Sequence, residues 1–262
     1  MASKARASFD KNAKDIERLL ELHESDGGKA PGRRYGLEVL NKSAIVLLVA
    51  FWEAYCEDIA AEALEHIVKN ANDADALPLP LKKLVAKALK ADQNELAIWK
   101  ISDEGWRKYL ADRFGEMKKE RDKKLNTPKT VQIDELFASA VGIENISKSW
   151  RWKKSMTPEK AIQKLDELVT LRGAIAHRGA NTTSVKKSHV IDYFEFIKLL
   201  TSRTGGAVNA HCRKVTKKTL WSNDSLRKHI AKKQDGSRSR LGTVVDALLP
   251  TTDGQLLPKT TY

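Results

Sequence analysis

The chain has 262 residues and carries 47 Lys and Arg against 34 Asp and Glu, a formal net charge of +13. That length supports a hydrophobic core without metal or disulfide staples, and 41% hydrophobic with 31% charged residues exclude a mostly disordered chain and an integral membrane protein. The longest apolar run, Ala44 to Trp52, is about half of the ~20 residues that a spanning helix needs. The opening MASKARASFD is charged from Lys4 and lacks an apolar stretch, so no secretory signal is expected. Cys56 and Cys212 stand far apart with no metal-ligand or redox spacing, which excludes a disulfide framework and fits a reducing cytoplasm.

Strand signals are nearly absent and helical periodicity recurs, so the fold class is all-α. Phe9, Ile16, Leu19 and Leu20 mark an amphipathic first helix, closed by Asp26-Gly27-Gly28 and Pro31-Gly32. A very long helix is predicted from about Leu37 to Asn70, apolar on nearly all sides from Ala44 to Trp52, and such a helix belongs in the middle of a bundle. Further helical patterns cover Leu79 to Lys90 and Asn94 to Lys119, the second with Leu96, Trp99, Trp106, Tyr109, Leu110 and Phe114. Asn126-Thr127-Pro128 is a turn, followed by a short amphipathic helix with Ile133, Leu136, Phe137 and Val141. Ser149 to Lys154 reads as a loop whose Trp150 and Trp152 pack in the core or anchor the loop, with base stacking as the alternative.

Thr157-Pro158-Glu159 is a helix start: an N-cap residue, proline at the first helical position and an acid in the first turn. The helix it opens turns Ile162, Leu165, Leu168, Val169, Leu171 and Ile175 inward, with Gly179 placed to end it. A last core helix spans about Lys186 to Lys214, with Val190, Tyr193, Phe194, Ile197 and Leu200 inward and a weak point at Gly205-Gly206. Beyond Val215 the pattern fades, although Gly242 to Leu249 has the pattern of a short helix.

Charge is concentrated at the end of the chain. Thr201 to Tyr262 holds 12 basic and 4 acidic residues, net +8, leaving +5 for the first 200. Arg178, Arg213, Lys214, Lys217, Lys218, Arg227 and Lys228, with Trp221 set among the last of them, are candidate nucleic-acid contacts. Basic side chains neutralise phosphates, and an interleaved aromatic stacks on a base. A solvated basic tail that aids solubility is the plainer reading.

None of the six histidines pairs with another ligand at a metal spacing, and neither a Walker sequence nor a nucleophile elbow occurs, so no cofactor is expected. What stands out is Leu171-Arg172-Gly173-Ala174-Ile175-Ala176-His177-Arg178-Gly179. Attack of a ribose 2′-OH on its neighbouring phosphate needs a base for the hydroxyl, an acid for the leaving 5′-oxygen and positive charge on the pentavalent phosphate. Histidine suits the proton transfers and arginine's planar fork the phosphate. Five residues along a straight helix set two side chains roughly 140° apart. Arg172 and His177 therefore converge only if the helix distorts at Gly173 or a second chain supplies the other groups. Gly173, Ala176 and Ala180 would allow close approach at a two-fold axis. An ordinary histidine near a helix C-terminus and a surface arginine remain the plain alternative.

The segment LDELVTLRGAIAHRG resembles the signature of HEPN ribonucleases. Two further blocks, SAIVLLVAFWEAYCEDIAAEAL and LNTPKTVQIDELFASAVGIENISKSWRW, resemble the RiboL-PSP-HEPN branch in order and spacing over about residues 37 to 212. The resemblance implies a HEPN-type helical bundle with a long central helix, and a metal-independent endoribonuclease that works as a homodimer, often in toxin-antitoxin or phage-defence systems. It assigns the phosphate to Arg172 and proton transfer to His177, and Glu53 of the Trp-Glu-x-Tyr block would orient Arg172 or the substrate, unless it is simply a buried ion pair. The products would be a 2′,3′-cyclic phosphate and a 5′-OH end. Many family members carry a polar residue directly after the arginine, where this chain has Gly173.

The expected organisation is an N-terminal helix and loop at 1–35, a HEPN-like domain at 36–214 and a basic extension at 215–262, partly disordered. The expected partners are RNA, a second copy, and an antitoxin or defence-system protein, in the cytoplasm and away from membranes. A non-catalytic HEPN module that binds RNA or a protein is the alternative, and a DNA-binding role rests on charge alone.

Overall fold

A computed structural model describes residues 3–27, 36–116, 127–152, 155–178 and 184–221. The helices are α1 (Lys4–Gly27), α2 (Glu38–Asn70), α3 (Leu79–Lys90), α4 (Gly105–Ala111), α5 (Thr130–Val141), α6 (Pro158–Arg178) and α7 (Lys187–Thr216), with 3-10 turns at Ala74–Ala76, Glu95–Ile101 and Ile146–Ser149. The described residues contain no strand, and the fold is all-α. None of their helices is long and apolar enough to cross a membrane. Ala2–Trp221 forms one compact unit, so it takes in α1 and the turn after α7. The expected short helix at Gly242 to Leu249 lies outside the described residues.

The apolar girdle of α2 is covered by α1, α5, α6 and α7 packed around it. Ala44, Ile45, Leu48, Val49, Trp52, Tyr55, Cys56 and Ile59 are all buried. Burying aromatic rings also buries their polar tips, which must be paired. Trp52 stacks on Tyr55 and meets Trp150 edge to face, and its indole N–H donates to the Pro128 carbonyl at 3.3 Å. Tyr55 Oη donates to the Thr201 carbonyl at 2.7 Å, and Trp150 Nε1 donates to Thr204 Oγ1 at 2.9 Å. One short stretch of α7, Thr201 to Gly205, thus accepts the polar tips of aromatics from α2 and from the loop before α6. Trp150 has no exposed surface and Trp152 is buried against Phe196, so both tryptophans are core residues.

Two expectations change. Asn94 to Lys119 is not one helix: a 3-10 turn over Glu95–Ile101 ends in a reversal with Asp103 at φ +49°, and α4 starts afresh at Gly105. A Cβ at Gly105 would lie 2.5 Å from the Lys100 carbonyl oxygen, so this return requires glycine. The reversal brings Arg107 to the C-terminus of α2, where it donates to the Val68 and Ala71 carbonyls at 2.5 and 2.6 Å. These are carbonyls that a helix end leaves without intrahelical partners. Trp106, Tyr109 and Leu110 are buried as expected, whereas Leu96 and Trp99 face solvent.

The second change concerns α7, which runs unbroken through Gly205-Gly206. A Cβ at Gly205 would stand 2.6 Å from Tyr55 Oη, while one at Gly206 would meet nothing within 4 Å. Gly205 is the opening through which Tyr55 reaches α7. Gly205→Ala is therefore expected to destabilise the unit by about 1–3 kcal/mol through overpacking. Gly206→Ala is expected to stabilise it by about 0.5–1 kcal/mol through helix propensity. Urea denaturation of the two variants checks both signs, and equal effects would remove Tyr55 from the explanation.

Candidate functional site on the arginine-histidine helix

The start of α6 is built as the sequence indicates. Thr157 Oγ1 accepts the Lys160 amide at 3.5 Å, and a hydrogen bond with the Thr157 hydroxyl holds the Glu159 carboxyl below the usual glutamate range. Two turns further on, Asp166 Oδ1 accepts from Thr130 N and Oγ1 at 2.9 and 3.1 Å, so one α6 carboxylate caps α5. These ties set the rotation and height of α6 in the bundle. Arg172 then falls beside Glu53 of α2, and Val185, beyond the end of α6, meets Asn41 and Glu38 near the start of α2. The two helices run antiparallel, and His177 lies past Arg172 toward the N-terminal end of α2.

Glu53 and Arg172 are both half-buried. Burial pushes the Glu53 carboxyl above the usual glutamate range, and the positive charge of Arg172 offsets part of that rise. Arg172 Nε is buried and has no hydrogen-bond partner. A guanidinium normally spends its donors on a carboxylate or on carbonyls when removed from water. Here a dry donor is held next to a carboxylate that does not consume it. His177 is exposed, and among the described residues it has no hydrogen-bond or ion-pair partner. The helix is regular through Gly173, whose missing side chain faces open space. Within one chain Arg172 is turned toward α2 and His177 toward solvent, as the roughly 140° separation requires. Among the described residues no cluster of His, Cys, Asp or Glu is placed to hold a metal ion.

The basic residues sit elsewhere. Arg213 and Lys214 are exposed on the last turn of α7, where positive charge complements the helix dipole. Lys217 takes the left-handed cap position at φ +59°, and Lys218 Nζ donates to Asn70 Oδ1 at 3.3 Å. His66 Nε2 lies 3.2 Å from both Thr216 Oγ1 and the Lys218 carbonyl, and Asn209 Oδ1 accepts the Leu220 amide at 2.8 Å. The turn after α7 is thereby tied down, and Trp221 is half-buried against the core near Gly205. Lys217 and Lys218 lie at the C-terminal end of α2, about 25 Å along that helix from Glu53 at 1.5 Å per residue, whereas Trp221 folds back toward Gly205 and Tyr55. The Arg178 side chain, Gly179, Arg227 and Lys228 lie outside the described residues. Sequence reasoning missed the ties at His66, Asn70 and Asn209, which join residues far apart in the chain and leave no local pattern.

A buried central helix, its surrounding helices and a late helix with arginine and histidine five residues apart define a HEPN-type domain. The chain belongs to the RiboL-PSP-HEPN family, whose model matches residues 10–209, from the second turn of α1 into the second half of α7. Comparison with curated proteins and with solved structures finds no match. Family membership places the chain among domains with ribonuclease-like or nucleotide-related roles, which often bind RNA and act as dimers.

The raised Glu53 carboxyl has a consequence for stability. With the folded value above the unfolded one near 4.5, the folded state holds more protons, so stability falls as pH climbs from 4.5 through the raised value. Glu53→Gln does not titrate at this position and serves as the reference. The stability of wild type relative to Glu53→Gln is expected to decline as pH rises from 4.5 through the raised Glu53 value. Thermal melts of both proteins across that range measure it, and parallel curves would contradict the assignment.

Proposed function

We propose that the protein is a metal-independent endoribonuclease that acts as a homodimer. The observation that carries this reading is the pairing on one family-matched helix of Arg172, a half-buried guanidinium with an unspent donor beside Glu53, and His177, an exposed imidazole one and a half turns on. Arg172 binds the scissile phosphate and counters the charge that builds on its non-bridging oxygens. Glu53 positions Arg172. One imidazole takes the proton of the ribose 2′-OH as the O2′–P bond forms, and a second delivers a proton to the 5′-oxygen as the P–O5′ bond breaks. The products are a 2′,3′-cyclic phosphate and a free 5′-OH.

The two proton transfers call for two groups, whereas each α6 offers one histidine turned away from its own arginine. A second copy across a two-fold axis supplies the other, and Gly173 and Ala176 leave room for α6 to approach its mate. On this reading the enzyme works on cytoplasmic RNA as a toxin or defence effector and is restrained by an antitoxin or defence-system partner. The basic cluster after α7, continued by Arg227 and Lys228, recruits the RNA.

Total RNA incubated with the purified protein in EDTA is expected to be cut, leaving fragments with cyclic phosphate at one end and 5′-OH at the other. His177→Ala and Arg172→Ala should each lower the rate by about a hundredfold or more. Sedimentation should return a dimer for all three proteins. Undiminished cleavage by both variants would remove the assigned roles, and RNA binding without cleavage by wild type would make the protein a non-catalytic binding module instead.

A further inference from the structure

One side of α2 has no covering helix among the described residues. Val39, Ser43, Val46, Leu47, Ala50 and Ala54 fall within roughly 100° of arc on this helix. Val39 is 62% exposed, Ala50 is exposed and the other four are half-buried. α1 packs along one flank of this stripe, where Phe9 meets Tyr55 and Glu62 caps the start of α1. α6 packs along the other, where Arg172 stands beside Glu53. From Ser43 to Trp52 the helix carries no charged side chain, so the stripe between its two neighbours is an apolar surface facing water. The end of α6 is open beside it. Asp166, Gly173 and His177 follow one another along one side of α6, at steps of seven and four residues. α5 covers that side at Asp166, which caps its first turn, and runs from there to Gly142 beside Pro78, beyond the C-terminal end of α2. Gly173, Ala176 and His177 lie past its reach, next to the N-terminal half of α2, and Ala176 and His177 are exposed.

We propose that this stripe of α2, centred on Ala50, is the surface on which a second copy of the chain docks, with α2 antiparallel to its mate. Heights along the helix select that occupant. Arg172 stands level with Glu53, three residues or about 4.5 Å beyond Ala50. His177 lies five residues further along the antiparallel α6, and so about 3 Å on the other side of Ala50. A two-fold axis that lies in the interface, perpendicular to α2 and level with Ala50, turns each α6 over its mate. It carries the partner's His177 to about 3 Å on the Arg172 side, within ~2 Å of the height of Arg172. Each arginine thereby gains a second imidazole at its own level, which its own chain does not supply. Charge selects the direction. Lys42 lies eight residues before Ala50, and Glu57 and Asp58 lie seven and eight after it. An antiparallel pair therefore sets lysine against acids, whereas a parallel pair sets like charges at the same height. The inference rests on the ribonuclease reading for the need of a second histidine, and adds to it the face on which the copies meet.

Sedimentation of the full chain is expected to give a dimer. Ala50→Arg sets two like charges face to face at the axis and should weaken association by about a hundredfold or more, while circular dichroism shows the helical fold retained. Cross-linking gives a second measure. Cys56 and Cys212 are both buried, so Ala50→Cys introduces the accessible thiol. A short bis-maleimide should link most of the Ala50→Cys chains in pairs and leave Ala88→Cys, exposed on α3, unlinked. A monomeric parent, as when another segment of the chain fills the stripe, overturns the inference. So does an Ala50→Arg chain that stays dimeric, or an Ala50→Cys chain that does not cross-link. The two readings fail separately: a parent that pairs through Ala50 but cuts no RNA removes the nuclease, and one that cuts RNA as a dimer indifferent to Ala50→Arg removes only this surface.

Discussion

Everything else in this bundle follows from burying the face of α2 that carries Ala44, Ile45, Leu48, Val49, Trp52, Tyr55, Cys56 and Ile59. A helix this apolar is stable in water only when neighbours cover it, and α1, α5, α6 and α7 do so, leaving Val46, Leu47 and Phe51 partly exposed and Ala50 exposed. Enclosure then imposes its own condition, because Trp52, Tyr55 and Trp150 carry polar atoms into the core, and unpaired each would cost about 1–3 kcal/mol. Those atoms find the Pro128 carbonyl and the Thr201 to Gly205 stretch of α7. The register of α7 against α2 is therefore set by hydrogen bonds as well as by packing, and Gly205 sits where the close approach occurs.

The helix ends show the same economy. The Glu62 carboxylate of α2 accepts the Lys4 and Ala5 amides and caps α1. Asp166 of α6 caps α5, Asp134 of α5 accepts the Ser147 amide and hydroxyl, and Arg107 closes α2. Terminal amides and carbonyls that a helix cannot satisfy itself are thus satisfied by side chains of its neighbours. Each such bond also fixes the position of one helix along another, which contacts between smooth apolar faces would leave free to slide. The Asp166 cap and the apolar packing of α6 on α2 together hold Arg172 beside Glu53.

Glu53 belongs to the central helix, one residue from the tryptophan at its core. Its carboxylate is half withdrawn from water while its neighbour Arg172 keeps a donor unspent. A pair in full hydrogen-bonded contact would be a structural ion pair with nothing left to offer a phosphate. The arrangement present keeps the half-buried guanidinium beside the Glu53 charge with its Nε buried and unpaired.

Much of this architecture was legible in the residue pattern. Leu79–Lys90 follows the predicted span, and the all-round apolar run at Ala44 to Trp52, the Thr157-Pro158 start and the arginine-histidine spacing each express a local rule. The break at Ser102 to Glu104 was not legible, because 3-10 and α periods differ by less than one residue per turn and Leu96 and Trp99 fit either. Gly205 reads as a helix weakener from propensity alone, and only the position of Tyr55 turns it into a requirement. The sequence by itself determined the fold class, the central helix and the residue types available for chemistry, since these depend on spacing within single helices. Tertiary structure alone decided that Arg172 faces Glu53 while His177 faces solvent, and that the basic residues after α7 gather at the far end of α2. Those placements depend on antiparallel packing and on caps between helices, which join residues with no relation in the linear order.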